Sequence, residues 1–238
     1  MTALPTHRAE DWRYSDLDAL GGLWPLPEPE NIIVPAGGHF DRSIVQDAGG
    51  VTQIHLSLGA GAAARLRILN IGGVYGRVEV HATLHAGADF QLDCAQIGDG
   101  EQNLECVTHV THAEPDATSR QTIRNVAGGA ASVTYLGQVS VARDAQRTNS
   151  AQNVRAMLLS RHASANAKPE LEIFADDVQC AHGCAIGELD AAALFYLASR
   201  GIDPATARQM LLEAFLTEAL GGDDTLTSAA IAKLGQIA

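Results

Sequence analysis

From Asn31 to about Gly183 apolar residues recur at every second position, and short glycine-rich segments cut that alternation into runs. Ile54, Leu56 and Leu58 form one set; Val74, Val78, Val80 and Leu84 a second; Val133, Tyr135, Val139 and Val141 a third. A two-residue period places each set on one face of a strand, because successive side chains of extended backbone point to opposite sides. Between the runs lie Gly59-Ala60-Gly61, Gly72-Gly73, Gly98-Asp99-Gly100 and Gly128-Gly129, which supply sharp corners. Strands are therefore expected about every 10 to 15 residues. A sandwich, a barrel and a β-helix all satisfy that spacing. Two features favour the β-helix. No Asn-Gly or Asp-Gly turn sits cleanly between two alternating runs, Asp99-Gly100 coming closest. The small-residue runs from Gly59 to Ala64 and from Gly128 to Ser132 suit close stacking of successive coils. Composition agrees, since 23 glycines and only 5% aromatic residues fit short stacked strands better than an aromatic-centred core.

The flanks read differently. Residues 1–30 form a leader in which Pro25, Pro27 and Pro29 alternate after Trp24; these prevent a helix and remove ladder donors, so the segment reads as an extended linker. After Gly187 the period becomes helical. Leu189, Ala193, Leu194 and Leu197 make one stripe, stopped by Gly201. Asp203-Pro204 then offers an N-cap and a first-turn proline for a second helix ending near Leu220, with Ala207, Leu211, Ala214 and Phe215 on one face. A third, short helix carries Leu226, Ile231 and Leu234. The expected domains are thus a leader over 1–30, a β core over 31–185 and a small helical domain over 186–238. About 50 residues is little material to bury three stripes, so part of that surface should face the β core or a partner.

A formal net charge of -12 makes nucleic acid and anionic membranes poor partners, because both are bound through cationic faces. No apolar run approaches the roughly 20 residues that span a bilayer. Met1 to Pro5 lacks the charged-then-apolar pattern of a secretory signal. Four cysteines in a chain of 238 residues do not make a disulfide framework, so a cytoplasmic location with reduced thiols is expected.

The densest chemistry is Cys180-Ala181-His182-Gly183-Cys184, at the junction of the β region and the helices. In extended backbone both thiols and the imidazole share one face, and that donor set suits iron or zinc. Structural zinc needs four ligands, and no second cluster accompanies this one, so the site is either incomplete and finished by a partner or a pair of packed cysteines beside a hydrogen-bonded histidine. Cys94 and Cys106 read as buried filler, and His81 and His85 as solvated strand residues. Ser160 and His162 lie close together without a nucleophile elbow, and no phosphate-binding glycine loop or His-Glu-x-x-His is present. A carbohydrate-active β-helix would need paired carboxylates across a groove; Asp176-Asp177 is the only adjacent pair in the β region and its members point to opposite sides of a strand. No self-contained active site emerges.

The stretch from Lys168-Pro169-Glu170-Leu171-Glu172-Ile173-Phe174-Ala175-Asp176-Asp177-Val178-Gln179 through Cys180-Ala181-His182-Gly183 resembles the SufB/SufD family of iron-sulfur cluster assembly scaffolds, in its SufD form. The likeness continues through Ile186-Gly187-Glu188-Leu189-Asp190, Ala193 to Leu197 and Ser199 to Ile202. Gln152-Asn153, Leu158-Leu159-Ser160 and, near the start, Leu4-Pro5-Thr6 with Glu10 to Tyr14 fit as well. The Cys-x-His-Gly form, where SufB carries His-Glu, and the lack of a cysteine from Arg161 to Lys168 select SufD.

The resemblance implies a right-handed parallel β-helix followed by a helical domain, with no catalysis of its own. It implies pairing with a SufB-type subunit, docking of a SufC-type ATPase through residues 186–238, and homodimerisation in isolation. Cys180 and His182 would contact an iron-sulfur cluster held transiently at the subunit interface, and Cys184 lies outside the family pattern. The chain is short for the family, with less N-terminal helical material and fewer coils. A purely structural adaptor, with Cys180 and His182 as packing, is the competing expectation.

Overall fold

A computed structural model describes residues 3–237. Twelve strands alternate between two six-stranded sheets, and every pairing within a sheet is parallel. One sheet, here sheet A, contains β1 (Glu30–Val34), β3 (Gly50–Leu58), β5 (Tyr75–Leu84), β7 (Asn103–His112), β9 (Ser132–Val141) and β11 (Ser164–Ile173) in that order. Sheet B contains β2 (His39–Gln46), β4 (Ala63–Asn70), β6 (Asp89–Gly98), β8 (Thr118–Ala127), β10 (Thr148–Leu158) and β12 (Val178–Gly187). Each strand therefore lies against the strand two before it, which is a β-solenoid and excludes a sandwich of hairpins. The repeat lengthens along the axis, from 24 residues where Glu30 lies beside Ile54 to 32 where Ser132 lies beside Ser164.

The alternation read from the sequence is the inward face. Ile54, Leu56 and Leu58, then Val78, Val80 and Leu84, then Val133, Tyr135, Val139 and Val141 are all buried between the sheets. Val74 is the exception: it precedes β5 in a bend and is 68% exposed. Coils are held in step by an amide ladder, in which Asn70 Nδ2 donates to Gln96 Oε1 at 3.3 Å and Gln96 Nε2 to Asn125 Oδ1 at 3.2 Å. Their spare donors reach carbonyls near the starts of β5 and β9, Asn70 to Gly76 and Gln96 to Thr134, so polar side chains inside the solenoid also bond to strand backbone. At the corners Gly49 and Gly73 adopt positive φ (79° and 68°), and a Cβ on either would lie 2.6–2.8 Å from the other's Cα. Only glycine permits that stacking.

The leader differs from the expected extended linker. Residues 24–29 lack regular structure, but Glu10–Trp12 forms a 3-10 turn and Leu17–Gly21 a short helix, α1, capped by Asp16. Both lie on the outer face of sheet A. Arg77, fully buried, stacks at 3.9 Å on the Trp12 ring, donates to the Asp11 carbonyl oxygen at 2.9 Å, and pairs with Glu79 and Glu105 at 2.9 and 2.7 Å. Ser15 Oγ also donates to Glu105, at 2.9 Å. A guanidinium sealed from water is tolerable because carboxylates and a carbonyl take up its donors.

Three helices follow: α2 (Ala191–Ser199), α3 (Pro204–Leu220) and α4 (Asp224–Ile237). Asp190 and Asp203 cap α2 and α3, the second as the Asp-Pro pair predicted. The predicted face of α3 is displaced. Ala207 is buried as expected, but Ala214 is exposed, and the rest of the packed stripe is Leu212, Leu216, Ala219 and Leu220. In α4 Leu226 and Leu234 are buried as predicted, with Ala230 in place of Ile231. These stripes do not close on one another alone. They cover Leu69, Ala95, Ile97 and Val126 on the outer face of sheet B, and Arg124 pairs with Glu218 at 2.6 Å beneath them. Both faces of the central strands are thus dry, which is why their burial is nearly continuous. By contrast, α2 buries no side chain, and Phe195 and Tyr196 stand out from it. Among the described residues no helix is long and apolar enough to cross a membrane.

Candidate functional site

Cys180, His182 and Cys184 lie on β12, the terminal strand of sheet B, which pairs only with β10 among the described residues. Their in-register neighbours on β10 are Ser150, Gln152 and Val154, all buried. On β8 the same row continues as Ser119, Gln121 and Ile123. The three candidate residues therefore belong to the inward face, at the point where no further coil covers it. Cys180 is half-buried against the apolar core, while His182 and Cys184 are exposed. Beside them β11 ends sheet A, with Ala167, Pro169 and Leu171 in register with the inward residues Tyr135, Gly137 and Val139.

Strand rise puts donors two residues apart roughly 7 Å from one another. The trio is therefore a row rather than a cage, and among the described residues no group of three or more His, Cys, Asp or Glu side chains could hold a metal ion. Partial burial raises the Cys180 thiol above its ordinary value, offset in part by a backbone contact with Ser150, and burial raises Cys184 likewise. Both thiols are protonated at neutral pH, so taking up a soft metal there releases a proton. The donor chemistry of the row suits no more than one edge of a soft-metal ligand set.

Behind the row runs a polar interior that the alternation rule did not reveal. Tyr135 Oη donates to Gln121 Oε1 at 3.0 Å, Thr108 Oγ1 donates to the same oxygen at 2.7 Å, and Gln152 Nε2 donates to Tyr135 Oη at 3.0 Å. Gly137 makes room for this, since a Cβ there would fall 2.1 Å from the Tyr135 oxygen. A second chain runs from His112 Nε2 through Ser119 Oγ to Ser150 Oγ, each step 2.9 Å. Burial lowers the His112 pKa to about 4, so its ring is neutral. Both chains end on the strand beside Cys180 and His182. In the sequence the signal for them is faint: Gln152 stands out only within the family-like pair Gln152-Asn153.

The other candidates are kept apart. Cys94 and Cys106 are wholly buried and free, as expected of filler. His81, on β5, and His85, which lies just past the end of that strand rather than on it as expected, are half-exposed and pair with Glu79 at 2.7 Å and Glu114 at 3.1 Å. His81 also belongs to an outward stack of His55, His81 and His109, with ring centroids 4.8 and 4.5 Å apart. Asp176 and Asp177 are exposed in the bend before β12 rather than on a strand.

Residues 31–215 match the family model described as the SufBD core domain of SUF system FeS cluster assembly. Among curated proteins, the chloroplastic protein ABCI7 of Arabidopsis thaliana is 38% identical over 155 residues, 64% of this chain and 32% of the relative. The iron-sulfur cluster assembly protein SufD of Escherichia coli is 36% identical over 132 residues, 54% of this chain and 31% of the relative. SufD of Bacillus subtilis is 31% identical over 120 residues, 50% and 28% of the two chains. The chain thus spans about a third of the length of the curated relatives it matches.

Proposed function

Because this chain belongs to the SufBD family of iron-sulfur cluster assembly proteins, we propose that it is a non-catalytic, SufD-like scaffold subunit that lends Cys180 and His182 to a cluster built between it and a SufB-type partner. The cluster is cargo here, formed and passed on. One observation carries the reading: the only strand-borne thiols near solvent stand with an imidazole on the inward face of an uncovered terminal coil. Such an end leaves unpaired backbone along β11 and β12 and exposes Ile173, Phe174 and Ile186, a combination that calls for a covering chain. A sister subunit ending in the same way would supply both the cover and the missing ligands; a second copy would do so in isolation. The exposed Phe195 and Tyr196 on α2 suit docking of a SufC-type ATPase on residues 186–238. A cytoplasmic, reducing location would keep all four thiols free.

The test is co-expression with SufB-type and SufC-type partners followed by anaerobic reconstitution with iron and sulfide. The doubly substituted Cys180→Ala/His182→Ala chain should still co-purify with its partners while its cluster yield drops several-fold. A yield equal to that of the unaltered complex would remove the site. The competing structural-adaptor reading is favoured instead if yield per assembled complex is unchanged and only association weakens.

A further inference from the structure

Gln152 is 2% exposed, and its carbonyl oxygen Oε1 has no hydrogen-bond partner. Its orientation is not arbitrary. Tyr135 has one hydroxyl proton, which it gives to Gln121 Oε1, and so it can only accept from Gln152. Gln152 therefore turns its amide nitrogen inward, and the acceptor is left over. On the inner side stands Gln121, whose own Nε2 is likewise without a partner and lies outside hydrogen-bond reach of this oxygen. Across the interior, Ala167 and Pro169 occupy β11 and offer no side-chain donor. The residue in register with Gln152 on the open side is His182, on a neighbouring strand roughly 5 Å away. Its ring makes no hydrogen bond of its own.

We infer that Gln152 is the positioning residue for His182: its spare carbonyl oxygen accepts the imidazole N–H, selects one ring tautomer, and turns the other nitrogen's lone pair toward the open end. A neutral imidazole has one N–H and one lone pair, so fixing the first fixes the second. Histidines that bind metals commonly donate their far N–H to a carbonyl or carboxylate for this reason. An amide oxygen orients the ring without adding charge to a site that would gather thiolates and sulfide on cluster formation. Tyr135, itself bonded to Gln121 and Thr108, holds the amide from behind, so its position is set by the closed part of the solenoid rather than by the exposed strand. That His182 presents this lone pair to a cluster rests on the function proposed above; the hydrogen bond does not.

The experiment reads the tautomer directly, on the full chain without any cluster. Histidines are labelled with 15N, and long-range 15N–1H correlations are recorded at a pH where the imidazole is neutral, His182 being assigned by its loss in His182→Ala. His182 should hold a single tautomer in the unaltered chain. In Gln152→Met, which keeps the length but has no acceptor, it should relax to the mixture of an unconstrained ring, and Gln152→Glu should restore one form. The same tautomer ratio in Gln152→Met as in the unaltered chain overturns the inference. Should Gln152→Met disturb the signals of the other histidines, Tyr135→Phe serves instead; it frees the amide from behind, and an unchanged His182 signal there overturns the inference equally. If His182→Ala leaves cluster yield intact while the tautomer responds to Gln152, the scaffold site fails and the positioning contact stands.

Discussion

Cys94 and Cys106 meet inside the closed part of the solenoid, where their mutual contact and complete burial push the Cys94 thiol well above its ordinary value. Cys180 and Cys184 occupy the uncovered coil, and burial raises their thiols less completely. A thiol reagent that needs the thiolate should therefore titrate two groups in the native chain and four in guanidinium, and the native pair should react more slowly at neutral pH than free cysteine does. Four fast-reacting thiols in the native state would contradict a closed interior. The Cys-x-His-x-Cys row was legible because extended backbone gives side chains two apart a common side. Its setting was not. Ser119, Gln121, Ser150 and Gln152 look like the solvent face of an alternating strand, since a two-residue period separates the faces without saying which one is inside. Here polar side chains face inward because Tyr135 and Thr108 answer the hydrogen bonds of the two glutamines, and His112 that of Ser119, which passes to Ser150.

The leader shows what element-level periodicity misses. A 3-10 turn of three residues and a helix of five are too short to display a stripe, and Arg77 with Glu79 reads as an ordinary polar face until Trp12 covers it. Its docking carries a pH signature. Asp11 stands 3.4 Å from His109 Nε2, and this contact raises the His109 pKa and lowers that of Asp11. The raised His109 contributes fully below its unfolded value and ceases to contribute as pH climbs through its folded one; the lowered Asp11 contributes above its unfolded value and ceases as pH falls through its folded one. The pair is thus strongest in mildly acidic solution and fades as His109 deprotonates. Replacing Asp11 by Asn should lower the His109 midpoint in an NMR titration, because burial then acts on the ring without its counter-charge. A midpoint that stays raised would mean that Glu79 or Gln138, not the leader, holds the proton. Among the helices, capping by Asp203 and the extent of α3 were readable from sequence, whereas α4 runs longer than its apolar residues suggest and the buried face of α3 was hidden: Leu211 and Leu212, like Phe215 and Leu216, make two adjacent apolar stripes, and only the outer face of sheet B decides between them.

Across the whole molecule that shared surface ties the solenoid to its helices. Leu216→Ala removes a buried side chain at the joint and should cost about 2–5 kcal/mol in urea denaturation, with tryptophan fluorescence from the leader and far-UV circular dichroism moving together. Separate transitions would show that the leader, the solenoid and the helices unfold as independent units. The lengthening of the repeat from 24 to 32 residues has a consequence for assembly. It gives the later coils, at the open mouth, a longer circuit than the first coils at the opposite tip. Tip-to-mouth stacking, the arrangement that would run on into a fibre, leaves the rim of every mouth bare. Mouth-to-mouth contact matches footprint to footprint and stops at two. Under the proposed pairing, that difference in coil size would favour a closed pair, with the thiols and imidazole at its centre, over an open stack.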